Sequence, residues 1–211
     1  HFSGAIGVVL YRRLVDFAGS AEQVSKISEP ALQRIPGIGP ITAREIARSF
    51  RERKAQREED HAQREGIHIV TFEEEGYPEP LKTIFDPPLA LSIRGEYRDP
   101  LAVAMVGSRK CSAYGLRQAD RFGQELSSLG VTVVSGLARG IDTASHKGAL
   151  RNGRTIAVLG SGLSHIYPYE NKKLALQIAE QGCVMSEFGA HTPPHRIHFP
   201  RRNRIVSGLS L

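Results

Sequence analysis

The chain has no tryptophan, and only two of its 211 residues are cysteines, Cys111 and Cys183. Two isolated cysteines in predicted α/β territory form no staple pattern; they fit a reducing compartment, each as a small buried hydrophobe. Long apolar runs are also missing, since none approaches the roughly 18 to 20 residues that span a bilayer. The opening HFSGAIGVVLYRRL lacks a basic region ahead of its apolar stretch, so it is not read as a signal peptide. Together these absences predict a cytoplasmic protein without a membrane partner. Acidic residues are the last scarcity: 22 Asp+Glu face 28 Lys+Arg, a formal charge of +6. That imbalance favours a polyanionic partner.

The usual catalytic patterns are absent as well. No G-x-S-x-G elbow occurs, because Ser161 sits between adjacent glycines in the wrong frame. Gly160-Ser161-Gly162 lacks the third glycine of a dinucleotide fingerprint, and Glu187 comes late for the acid that would bind a ribose. Asp142 and His146 lie one helical turn apart and are able to bond each other, but with Ser145 alone they make no nucleophile and base. His191, His195 and His198 suggest a metal site, yet Pro193 and Pro194 oppose a shared face and no Cys or acid completes the set. Neither a cofactor nor a metal is expected.

What is present divides the chain. Residues 1–65 read as a small all-helical domain and residues 66–211 as α/β. In the first part, Ile35-Pro36-Gly37-Ile38-Gly39 forms an apolar-flanked glycine hairpin, with Ala43 and Ile46 on the packing face of the following helix. This is similar to a helix-hairpin-helix element, which either meets a DNA phosphate through backbone N–H groups or only joins two packed helices. Residues 51–65 hold five basic and five acidic side chains and read as a solvated helical face. Short strands are expected near 67–72 and 89–93, amid prolines 78, 80, 87, 88 and 100.

From residue 101 the pattern becomes regular: strands at 102–106, 131–134, 155–159 and 183–185 alternate with helices at 113–129, 142–151 and 170–181. Continuous apolar strands alternating with helices predict a mostly parallel, Rossmann-like sheet with helices on both faces. The strand C-termini then gather on one edge, where ligands of such sheets bind.

Three glycine-rich turns fall on that edge. Gly107-Ser108-Arg109 aims a guanidinium at it. Ser135-Gly136 through Gly140-Ile141-Asp142 offers backbone N–H groups beside Arg139, with Asp142 as the expected N-cap of the next helix. Gly160-Ser161-Gly162 is the third. Residues 191–204 then carry four arginines and three histidines without one acid. Arg196, Arg201, Arg202 and Arg204 supply forked, permanently charged groups suited to phosphate, Phe199 a ring on which a base stacks, and Asn203 either a base-edge contact or a turn brace.

These residues have a family likeness. VGSR (106–109), SGLARGID (135–142), the His146 helix, YPYEN (167–171), SEF (186–188) and FPRRNRIVSGLS (199–210) resemble the DNA-processing protein A (DprA, or Smf) family. The resemblance covers about 66–211 and implies an extended Rossmann fold that binds single-stranded DNA, dimerises, and loads the RecA recombinase during natural transformation, without enzymatic activity. By motif position it implies a DNA pocket of Arg109, the Ser135-Gly136 turn, Arg196 and Phe199, with Arg139 and Asn203 as further contacts. In the family the sheet continues beyond the last motif, so the C-terminal part of that fold is expected to be missing here. Two other readings stand beside it. One is a nucleotide- or nucleoside-monophosphate-processing enzyme on a related fold, with Glu187 as its only approximate catalytic acid. The other is a helix-hairpin-helix module for duplex DNA with an inert α/β partner.

Overall fold

The computed structural model describes residues 6–98 and 100–211. The first five residues of the opening apolar stretch lie outside them. The chain divides into two compact units, one ending at His61 and the other running from Ala62 to Leu211.

The first unit is built from α1 (Val8–Ala18), α2 (Ala21–Val24), α3 (Glu29–Leu32) and α4 (Pro40–Arg51). Leu14, Val24, Leu32, Ile35, Ile38, Ala43 and Ile46 form its core. Ser20 caps α2 by accepting from the Gln23 N–H, as a residue that satisfies an orphan donor should. In the glycine hairpin, Arg13 donates to the Pro36 carbonyl at 2.8 Å, while Ile35 and Ile38 turn inward. Helix α5 (Lys54–Arg64) carries the chain onward.

The second unit holds β1 (His68–Thr71), α6 (Glu79–Lys82), β2 (Ala90–Gly95), β3 (Ala102–Ala104), α7 (Ala113–Ser128), β4 (Thr132–Ser135), α8 (Ile141–Ala149), β5 (Thr155–Val158), α9 (Lys172–Gln181), β6 (Cys183–Ser186) and α10 (His198–Gly208). The strands form one sheet in the order β1-β2-β6-β5-β4-β3. Strands β3 to β6 pair in parallel, and β2 enters antiparallel between β1 and β6. The sheet is mostly parallel, as the alternation of apolar strands and helices predicts.

Every residue of β4, β5 and β6 is buried, which follows from covering both faces. The period of two sorts their side chains. Ile156, Val158, Cys183 and Met185 meet Leu81 of α6 and Ile205 and Val206 of α10. Ala157 and Val184 point the other way, onto Leu174, Ala175 and Ile178 of α9.

Helix α10 has no counterpart among the elements expected from the sequence. Its opening His-Phe-Pro and its arginines suggest an irregular basic loop, but Ile205, Val206 and Leu209 form a buried stripe along it. Strand β3 ends at Ala104, short of the expected Val106, although the Met105 N–H still bonds to Val134 O at 2.9 Å. The loops after β3, β4, β5 and β6 converge at the strand C-termini, and α10 starts there.

Candidate nucleic-acid interface

The loop between β4 and α8 closes on itself. Ser135 is fully buried and donates its hydroxyl to Met105 O at 2.5 Å. The N–H groups of Gly136 and Ala138 both donate to Asp142 Oδ2, at 3.1 and 3.3 Å. This corrects two expectations. Asp142 does not cap α8: the helix begins one residue earlier, with Gly140 at the cap, and the carboxylate folds back over the loop. Of the two glycine N–H groups expected to meet phosphate, that of Gly136 is already used by this internal anion. Burial raises the Asp142 pKa above its ordinary value, opposed by these hydrogen bonds and by Arg202 nearby.

The glycines here permit close approach. A Cβ on Gly136 would lie 1.9 Å from a guanidinium nitrogen of Arg202, and one on Gly140 would lie 2.3 Å from Ser108 O. Gly140 also has φ +77, a conformation that favours glycine. Arg202, expected as a DNA contact, is only 4% exposed and donates to Val158 O at 2.5 Å. Burial pushes its guanidinium down to about 10, against the pull of Asp142, so it remains charged at neutral pH. It supports the loop from beneath.

Other cations of the basic segment are also engaged. Arg204 donates to Glu187 at 2.6 Å and to Asp86 at 3.1 Å, and Arg201 lies 3.4 Å from Glu187. Burial raises the Glu187 pKa, while Arg204 and Arg201 oppose that shift. Arg139 is exposed at the rim but forms an ion pair with Glu170, one contact of which is 3.2 Å. Ser108 uses its hydroxyl within its own turn, accepting from Lys110 N–H and donating to Lys110 O.

The helical pair Asp142 and His146 do not bond each other. His146 is completely buried and pairs through Nδ1 with Thr155 Oγ1 at 2.7 Å; Thr155 in turn donates to Val133 O at 2.6 Å. Thr155 therefore accepts from an Nδ1–H, which fixes a neutral tautomer, and burial holds the His146 pKa down to about 3. The three C-terminal histidines do not share one site: His195 and His198 meet edge to face at 5.6 Å, with His198 also stacked on Phe188 at 4.2 Å, while His191 faces His165. Among the described residues no group of three His, Cys, Asp or Glu is placed to hold a metal ion.

Arg109, Arg196, Phe199 and Asn203 are the expected residues that converge on open surface. They line a cavity of about 510 Å³ with Tyr167, Pro194, Pro200 and the buried Arg202. The Arg109 guanidinium sits 5.4 Å from the Phe199 ring centroid, a cation–π contact. Arg109 and Arg196 form no ion pair among the described residues. Gly107, Gly136 and Asn203 line an adjoining cavity of about 410 Å³. Tyr167 belongs to the YPYEN motif, and the sequence alone assigns it no role.

A family model for DNA recombination-mediator protein A matches residues 68–211, from the first strand of the sheet to the last residue. The chain belongs to the DNA recombination-mediator protein A family. Family members similar to it include Protein Smf of Escherichia coli, 47% identical over 147 residues, which make up 68% of this chain and 39% of that protein. Protein Smf of Synechocystis is 38% identical over 213 residues, covering 97% of this chain and 53% of the relative. The chain spans about half the length of the curated relatives it matches. The X-ray structure of DNA processing protein A from Streptococcus pneumoniae superposes with a TM-score of 0.76 at 32% identity, covering 99% of this chain and 72% of that one. A structure of DNA processing protein A from Helicobacter pylori, determined to describe its single-stranded DNA binding mode, gives 0.62 at 31% identity over 68% of this chain and 66% of that one.

Proposed function

We propose that the second unit binds single-stranded DNA without catalysis, at the strand C-termini. One observation carries this reading: Arg109 and Arg196, with no ion-pair partner among the described residues, line a cavity together with Phe199 and Tyr167. Two cations meet phosphates while rings receive a base that has left its stack. Phe199 stacks, Asn203 contacts a base edge or the backbone, and Gly107 and Ser108 hold Arg109 in place. Ser135, Gly136 and Arg202 support the site from within, and Arg139 joins it only by leaving Glu170.

The single-stranded DNA binding of the Helicobacter pylori relative and the recombination-mediator description of the family support this reading. We extend it to the whole protein as a cytoplasmic homodimer that protects incoming DNA and loads RecA recombinase in natural transformation. No helix among the described residues is long and apolar enough to cross a membrane. The enzymatic alternative needs Glu187 free to act, and that carboxylate is buried against Arg201 and Arg204. In the first unit the helix-hairpin-helix reading gains support from the N-terminus of α4, which has no side-chain cap and leaves Ile41 81% exposed.

The test is a salt titration of binding to single-stranded and duplex oligonucleotides of equal length. We expect tighter single-strand binding whose log K falls against log salt with a slope of about −0.7 per phosphate neutralised. A flat response contradicts the proposal, as does preference for duplex.

A further inference from the structure

The YPYEN segment between β5 and α9 is shaped as firmly as the basic segment it faces. Asn171 is 6% exposed and donates its amide to Leu137 O at 2.9 Å and to Thr143 Oγ1 at 2.8 Å. Its neighbour Glu170 pairs with Arg139. Two consecutive residues thus pin the segment to the β4–α8 loop, and Pro168 is buried behind them. The consequence is a fixed place for Tyr167, 40% exposed, whose ring meets Phe199 at 5.7 Å with 46° between planes.

The two rings differ in what they have left to offer. Phe199 has Arg109 over its face and Tyr167 beside it, and its edge lies so close to Gly160 that a Cβ there would come within 2.8 Å. It is enclosed on three sides by protein. Tyr167 lines the same cavity, and among the described residues its ring meets that of Phe199 alone. A flat ring held rigid by neighbours loses little entropy when a base settles on it.

We propose that Tyr167 is a second nucleobase contact, the outward ring of an aromatic corner with Phe199, and that Asn171 positions it. The occupant is an unpaired base of a single-stranded nucleic acid, so the inference rests on the function proposed above. A duplex keeps its bases stacked inside the helix and presents none to this corner; the arginines alone would not make that distinction.

The experiment compares the full chain with its Tyr167→Ala, Tyr167→Leu and Tyr167→Phe variants. Each is titrated by fluorescence anisotropy with oligothymidylate and with a strand of equal length made of abasic sites. Loss of one base–aromatic stack weakens oligothymidylate binding by about 5- to 150-fold in the Ala and Leu variants. Tyr167→Phe stays close to wild type, abasic binding is unchanged in all three, and the salt slope is unchanged because no charge is removed. Leu keeps an apolar contact against Phe199, so its loss of binding at an unaltered melting temperature separates stacking from packing. Binding of oligothymidylate by the Ala and Leu variants within twofold of wild type overturns the inference. So does an equal loss on base-bearing and abasic strands. If wild type binds neither strand, the proposed function fails, and this inference with it; if wild type binds and the variants match it, only this inference fails.

Discussion

In the β4–α8 loop the backbone donors point inward onto Asp142, and a buried arginine rises beneath them. Arg109, Pro194, Arg196, Phe199 and Asn203 instead line a cavity at the surface. Both regions contain the same ingredients, glycine or proline turns and arginine. What separates them is whether a counter-charge lies within reach. Asp142 answers the two N–H groups, Glu170 answers Arg139, and Glu187 answers Arg201 and Arg204. Charge matched inside the fold holds loops in place; charge left unmatched at the surface is available to a polyanion. Arg202 and Arg196 make the point within six residues, one buried and bonded to Val158 O, the other exposed.

The strongest way to break this comparison is to empty the inner region. Asp142→Ala removes the acceptor for one buried and one part-buried N–H group and takes away the anion that faces Arg202. The relief of desolvation at the lost carboxylate offsets only part of that. We expect a loss of about 3–5 kcal/mol in urea denaturation at neutral pH, with Asp142→Asn, which keeps an acceptor, losing less. A loss under about 1 kcal/mol in the Ala variant means the loop does not depend on its internal anion.

Acid is the next lever. With a folded pKa near 3 against an ordinary 6.5, neutral His146 contributes stability that is present above pH 6.5 and lost as pH falls toward 3. The unfolded chain takes up the proton first, so the loss should reach about 2–3 kcal/mol by pH 4. His146→Gln removes this contribution, and its denaturation midpoint should fall less steeply over the same window. Parallel slopes for variant and wild type contradict the burial argument.

The smallest effect sharpens the boundary between the regions. Because Arg139 is held by Glu170, Arg139→Ala should leave the salt slope of single-strand binding unchanged. Glu170→Gln should free that guanidinium and steepen the slope by up to about 0.7. If Arg139→Ala flattens the slope by that amount, the ion pair yields to DNA and Arg139 belongs to the outward region.

Much of the fold was legible because its signals are local. The all-apolar strands β4, β5 and β6 and the amphipathic helices between them announce a covered parallel sheet without help from distant residues. Helix α10 escaped because its buried stripe is short and its first turn reads as a basic loop. At the site, residue types were legible but their state was not. Whether Arg202 lies inside or outside depends on Gly136 and Val158, and whether Arg139 is free depends on Glu170, 31 residues away. Such partners are set by the crossing of loops, which no local window contains. Tyr167 was in plain sight as part of a motif, but its place beside Phe199 exists only once α10 packs under the β5 loop.

The most direct test of the outward region is the salt dependence of single-strand binding in wild type and in Arg109→Ala, Arg196→Ala and the double variant. We expect each single substitution to weaken binding and flatten the slope by about 0.7, and the double by about 1.4, with melting temperatures unchanged. A double variant that keeps the wild-type affinity and slope would show that the phosphates lie elsewhere.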